Sequence, residues 1–152
     1  MGHMIEVRGL KKSYGSVEAV RGIDFTMEEG QLFAFLGPNG AGKSTSIHII
    51  TTFLKADEGE VRIDGLMLGK EDQKIRHLIG AVFQDGYLDG QLSIEENLKV
   101  RASLYGINAR ELRQAVERVC TLCDLNDIRK CKYAALSGGQ RRRCDIARAL
   151  LH

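Results

Sequence analysis

Nine residues, Gly37 to Thr45, read GPNGAGKST and set three glycines, a lysine and two hydroxyls directly behind the apolar run LFAFL. Gly37 and Gly42 as framing glycines, Lys43 as cation and Ser44 as hydroxyl fit the spacing G-x-x-x-x-G-K-[ST]. The chemistry this serves is phosphate binding. Glycines let successive backbone N–H groups turn inward as an anion nest, and a helix starting near Gly42 aims its positive end at the same point. Lys43 then reaches the outer phosphates and Ser44 can ligate Mg²⁺, so Gly37, Pro38, Asn39, Gly40, Ala41, Gly42, Lys43, Ser44 and Thr45 are the candidate contacts of a nucleoside triphosphate. The rival reading is a glycine turn that merely contains a lysine.

The flanking elements count against that rival. Residues 32–36 are continuously apolar, which predicts a strand buried on both faces of a parallel sheet. Behind the loop, Ile47, Ile50 and Leu54 recur at helical spacing. Upstream, Ile5/Val7 and Ile23/Phe25/Met27 alternate between glycines and predict a small antiparallel sheet, and Val61/Ile63 predict a further strand. A short helix is expected over QKIRHL, then an apolar strand over 79–83 that ends on Gln84. From Ser93 onward the pattern is helical. Ser93/Glu96 and Asn108/Glu111 have capping-box spacing, and the final segment is expected to form a helix with Ile146 and Leu150 inward. The fold class is therefore α/β, with an N-terminal antiparallel β part and a helical insert at about 88–136.

Bulk properties bound the possibilities. The chain has 152 residues, 43% hydrophobic and 28% charged, the range of one globular domain. No apolar run approaches the roughly 20 residues of a membrane span, and no secretory leader is present, which predicts a cytoplasmic chain. The opening MGHM reads as a cloning remnant, so residues 1–3 are set aside and residues 4–152 are treated as one domain part. The net charge of +2 does not mark a nucleic-acid binder. The basic clusters at 129–132 and 141–143 read as solvated faces. Cys120 and Cys123 form a C-x-x-C, but Leu112, Val116, Val119 and Cys123 make one helical stripe, so packing accounts for them better than metal. His48 and His77 have no spaced partner that would make them ligands.

A second motif, LSGGQ at 136–140, narrows the class. From average residue frequencies such a string arises at on the order of one position in a million. Ser137 followed by Gly138 and Gly139 at a helix start offers a hydroxyl and bare N–H groups to an anion.

With both motifs, the chain resembles the nucleotide-binding domain of ABC transporters over residues 5–152. The resemblance makes 37–45 the Walker A motif and 136–140 the signature. It puts Gln84 at the Q-loop position that touches Mg²⁺ and the attacking water, and Tyr14 at the aromatic that stacks on adenine. It implies ATP and Mg²⁺ as cofactors and Lys43 and Gln84 as catalytic residues. It also implies a head-to-tail dimer with a second nucleotide-binding domain. There Ser137 and Gly139, with Gln140 near, meet the γ-phosphate held by the neighbour. The remaining partner is a transmembrane subunit at the inner face of the cell membrane; no nucleic acid is expected. The wording VFQDGYLDGQLSIEENL resembles ATP-binding subunits of drug exporters of the daunorubicin-resistance type.

The family's next segment, a strand ending in Asp-Glu (Walker B), and its switch histidine do not follow ALLH. The expectation is a P-loop core incomplete at its C-terminus, which binds ATP without turnover because the general base is missing. Strands 32–36 and 79–83 are then expected to lack an apolar neighbour. The alternatives are a soluble ABC ATPase acting on ribosome or DNA, and a non-catalytic fragment.

Overall fold

A computed structural model describes residues 4–83, 86–106 and 108–151. The chain divides into two compact units, Met1–Ile79 and Gly80–His152.

The first unit is built on a four-stranded antiparallel sheet in the order β2-β1-β3-β4, with β1 Ile5–Tyr14, β2 Val17–Met27, β3 Glu58–Ile63 and β4 Leu66–Met67. The alternating residues named above set the register: Ile5 pairs with Met27 and Ile63, and Val7 with Phe25 and Val61. The register shifts after Val7, where Gly9 has φ +56° and its N–H donates to Asp24 Oδ1 at 2.8 Å. Helices α1 (Lys43–Ile50) and α2 (Asp72–Leu78) supply Ile49 and Ile75 to a core with Val7, Leu10, Val20, Val61 and Ile63.

Two details of this unit differ from the sequence pattern. The run at 32–36 pairs with no strand among the described residues, and Leu32 and Leu36 are 96% and 89% exposed. Only its alternate side chains are engaged, Phe33 stacked on Phe25 at 4.7 Å and Phe35 edge-on to both. An apolar stretch becomes a buried strand only when a neighbour takes its N–H and C=O groups, and no described strand does so here. Residues 79–83 are likewise outside any strand. The second detail is the face of α1. Ser46 and Ile49 point inward and Ile47 outward, because the helix is fixed at Gly42 against β2 and ends before Leu54, which joins the core from the following turn.

The second unit is helical: α3 Ile94–Ser103, α4 Ala109–Leu122 and α5 Gly138–Ala149, with short 3-10 turns at Asn126–Ile128 and Tyr133–Ala135. Both expected capping boxes are formed, Ser93 with Glu96 and Asn108 with Glu111. Val116, Val119 and Cys123 line the buried side of α4 with Cys120, against Leu98 and Ala102 of α3. α5 completes this core through Cys144 and Ala147, and Leu151 just beyond it. Ile146 and Leu150, expected inward, are each 39% exposed. The buried residues of α5 are Cys144, Asp145, Ala147 and Ala149, and Ile146 and Leu150 lie on the side that this packing leaves open. Asn97, only 4% exposed, ties the preceding loop to α3: its Oδ1 accepts from Asp89 N at 2.7 Å and its Nδ2 donates to Asp89 O at 2.9 Å. Among the described residues no helix is long and apolar enough to cross a membrane.

Candidate functional site

The loop 37–45 is shaped by glycines that no other residue replaces easily. Gly37, Gly40 and Gly42 have φ of +149°, +84° and +81°. Gly42 is needed twice over, since a Cβ there would lie 2.2 Å from the Ala19 carbonyl oxygen and 3.2 Å from Val20 Cγ2 on β2. The left-handed turn at Gly42 is the N-cap of α1, which carries no side-chain cap and no acidic residue in its first turn. An α-helix leaves its first N–H groups without intrahelical partners. Among the described residues no side chain caps them, so the positive end of the helix is open to an anion.

Lys43 folds back across the loop, and its ammonium donates to the carbonyls of Gly37 at 2.7 Å and Pro38 at 2.6 Å. The cation is thereby held over the mouth of the nest. Ser46, buried behind the loop, donates its hydroxyl to Gly42 O at 2.9 Å and braces the turn. Ser44 is exposed and Thr45 half-buried, and Asn39, Gly40 and Ala41 form the open rim. A cleft of about 700 Å³ adjoins the loop, lined by Ala19 and Arg21 of β2, Phe33, Phe35, Pro38–Ala41 and Lys43. These features fit a bound polyphosphate: bare N–H groups, a positive helix end, a lysine and a free hydroxyl for a divalent ion.

Tyr14, the residue matched to adenine stacking, ends β1 at 50% exposure, pairs with Val17 across the hairpin, and does not line that cleft. Gln84 lies outside the described residues.

The LSGGQ segment is built differently. Ser137 is the N-cap of α5, and its hydroxyl accepts from Gln140 N at 3.3 Å while Gln140 Oε1 accepts from Ser137 N at 2.9 Å. The two ends of the motif are thus engaged with each other in a capping box. Gly138 and Gly139 remain exposed, with nothing within 4 Å of where a Cβ would stand. Arg141 secures the turn before the helix, donating to Ala134 O at 2.6 Å with its guanidinium 5.6 Å from the Tyr133 ring centroid.

The remaining candidate chemistry is structural. All four cysteines are free, and no cluster of three or more His, Cys, Asp or Glu able to hold a metal exists among the described residues. Burial pushes the Cys144 thiol up to about 12, and the thiols of Cys120 and Cys123 also upward, so these are inert core groups. Arg129, read as a solvated cation, bridges α3 and α4 instead, donating to Glu95 at 3.2 Å and Glu117 at 2.8 Å. Sequence reading also missed the side of α5 bearing Arg142, Asp145 and Arg148. Their spacing of three was the available signal.

A glycine loop with an uncapped helix start, followed by a helical unit with a serine-capped glycine pair, is the arrangement expected of a nucleotide-binding cassette. The chain belongs to the ABC transporter family, whose pattern it matches over residues 20–152. It is 37% identical over 149 residues to the linearmycin resistance ATP-binding protein LnrL of Bacillus subtilis strain 168, covering 98% of this chain and 48% of that protein. It is also 37% identical over 151 residues to the methionine import ATP-binding protein MetN of Legionella pneumophila strain Lens, covering 97% of this chain and 44% of that one. Among solved structures, the dimeric post-hydrolysis state of the ATP-binding cassette MJ0796 bound to ADP and Pi superposes with a TM-score of 0.80 at 30% identity, covering 97% of this chain and 69% of that one. The chain therefore spans about half the length of these two relatives.

Proposed function

We propose that this chain is the ATP-binding part of an ABC transporter subunit, with the phosphates held by Gly37–Thr45. The observation that carries the reading is the start of α1: three left-turning glycines, no side-chain cap, and Lys43 held across the opening. In this reading Lys43 contacts the outer phosphates, and Ser44, with Gln84, holds Mg²⁺. Pro38, Asn39, Gly40 and Ala41 supply the backbone of the cradle, Thr45 extends it, and Tyr14 meets the adenine. Ser137, Gly138, Gly139 and Gln140 serve the ATP of a second copy in a head-to-tail dimer, a reading supported by the dimeric ADP-bound cassette of similar fold.

The intact parent hydrolyses ATP to drive transport through a transmembrane subunit at the inner face of the membrane. Drug efflux is the proposed direction, on the wording of residues 82–98. A resistance protein and an import protein match this chain at equal identity, so the alternative of import stays open, as does a soluble ATPase of ribosome or DNA. The 152 residues alone are proposed to bind without sustained turnover, because the family's Walker B carboxylates are not among them.

Titration calorimetry with Mg-ATP tests the reading. Lys43→Ala is expected to weaken binding about tenfold or more, the effect of losing a charge-assisted contact of about 1.5–3 kcal/mol. Equal affinity of the variant and the native chain would refute the phosphate assignment.

A further inference from the structure

β1 loses its β3 partner before it reaches Tyr14. Pairing with β3 runs from Ile5 to Arg8, slips, and stops at Lys11 opposite Glu58, while pairing with β2 slips again between Lys12 and Ser13. Tyr14 and Val17 then close a short turn in which Gly15 has φ +59°. On the β3 side the last residues of β1 have no strand beside them, and Asp57 stands in for one. Its N–H donates to Lys11 O at 3.0 Å, its Oδ1 accepts from Lys12 Nζ at 2.5 Å, and its Oδ2 accepts from Ser13 N at 2.7 Å. The N–H next to Tyr14 is thus held by a carboxylate where a strand would offer a carbonyl, and hydrogen bonds to a charged acceptor are the stronger kind. The bond from Lys12, and after it the bond from Ser13 N, holds the Asp57 carboxyl below the usual carboxylate range.

Asp57 is itself fixed from both sides. Leu54 and Ala56, in the turn that leaves α1, pack on the core of the first unit. Two residues on, Gly59 has φ +94° and runs so close to β1 that a Cβ there would lie 2.5 Å from the Gly9 carbonyl oxygen. The Asp57 side chain is 44% exposed, and exposed ion pairs add little to stability. What its bonds to three successive residues of β1 supply is a direction for the end of the hairpin.

We propose that Asp57 is a positioning residue for nucleotide binding, holding the Ser13–Tyr14 end of β1 so that the Tyr14 ring is presented to the base. The inference rests on the reading of Tyr14 as the adenine contact and of Gly37–Thr45 as the phosphate cradle. Among the described residues Asp57 makes no hydrogen bond to that cradle. Its loss is therefore felt by a ligand that carries a base and not by bare phosphates.

Two measurements on the full chain test this, one with ligand and one without. In calorimetry, Tyr14→Ala is expected to weaken Mg-ATP about fivefold or more, the effect of losing one stacked base, and to leave Mg-tripolyphosphate unchanged. Asp57→Ala is expected to weaken Mg-ATP about threefold, again sparing tripolyphosphate, and to add nothing once Tyr14 is replaced. Asp57→Asn keeps an acceptor for Ser13 N and is expected to recover most of the loss. Glu58→Gln, which breaks only the neighbouring pair with Lys11, is expected to change neither ligand. Without ligand, backbone order parameters at Ser13 and Tyr14 are expected at about 0.85 in the native chain and below about 0.6 in Asp57→Ala, with Ile5 and Val7 unmoved. Equal weakening of ATP and tripolyphosphate, full additivity with Tyr14→Ala, or a rigid Tyr14 in Asp57→Ala would overturn the proposal and leave the two readings beneath it standing. So would native values already below about 0.6, which need no variant. Tyr14→Ala without effect on Mg-ATP would refute the adenine contact and the proposal together, and a native chain that bound neither ligand would refute the cradle as well.

Discussion

The two glycine-bearing helix starts, α1 behind Gly42 and α5 behind Ser137, share a composition and differ in what satisfies them. At α5 the first turn is closed by its own side chains, the Ser137 hydroxyl and the Gln140 amide exchanging hydrogen bonds with the backbone. At α1 no side chain does this, and a lysine is folded over the opening. A capped start stabilises a helix by itself, whereas an uncapped one forgoes that stability and keeps its donors for a ligand. The open start of α1 supports the proposed phosphate-binding role for that helix within one copy. What α5 leaves for an incoming anion is the exposed pair Gly138 and Gly139.

The difference can be broken hardest at Gly42. Gly42→Ala places a methyl group on the Ala19 carbonyl and forces a left-handed φ, so a loss above about 3 kcal/mol is expected, with ATP binding abolished. Thermal unfolding with calorimetry checks both. Next in size, Ser137→Ala removes the α5 cap and should cost about 1 kcal/mol in urea titrations. Ser44→Ala, on the exposed first turn of α1, should change stability by less than about 0.5 kcal/mol while weakening the Mg²⁺ dependence of ATP binding. If Ser44→Ala destabilised the chain as much as Ser137→Ala, the contrast between the two starts would be lost.

How far the sequence carried this picture depended on how local each signal was. The capping boxes at Ser93 and Asn108, the small antiparallel sheet over Ile5/Val7 and Ile23/Phe25/Met27 and the stripe on α4 are set by contacts a few residues apart or across one hairpin, and each formed as read. Both motifs were legible for the same reason: their function needs fixed spacing along the chain. What the pattern could not give was the fate of 32–36 and 79–83. Apolarity says that a segment avoids water and not which strand will pair with it, and here the partners found were Phe25 for the first and the guanidinium groups of α5 for the second. The faces of α1 and α5 failed similarly, since Ile47, Ile146 and Leu150 are apolar enough to be buried, and only the packing of each helix decided otherwise. The capping box of Ser137 with Gln140 was legible as S-x-x-Q.

A separate expected effect concerns the core behind α5. The Cys144 thiol, ordinarily near 9.0, is held up to about 12 chiefly by burial, so the folded state keeps a proton that the unfolded chain releases. Its contribution is intact below pH 9 and is lost as pH rises toward about 12, and the urea midpoint should fall across that window. Cys144→Ala should lower stability at neutral pH through the lost packing yet flatten this alkaline slope. An unchanged slope would mean that the thiol is not held protonated by the fold.

The most direct measurement of the central claim is the amide proton–nitrogen spectrum of the dilute chain titrated with Mg-ATP. The account predicts progressive shifts at Gly40, Gly42, Lys43 and Ser44, the bare donors of the α1 start, with Gly138, Gly139 and Gln140 unmoved while the chain is a single copy. Saturable shifts at the α5 start without shifts at the α1 start would contradict it.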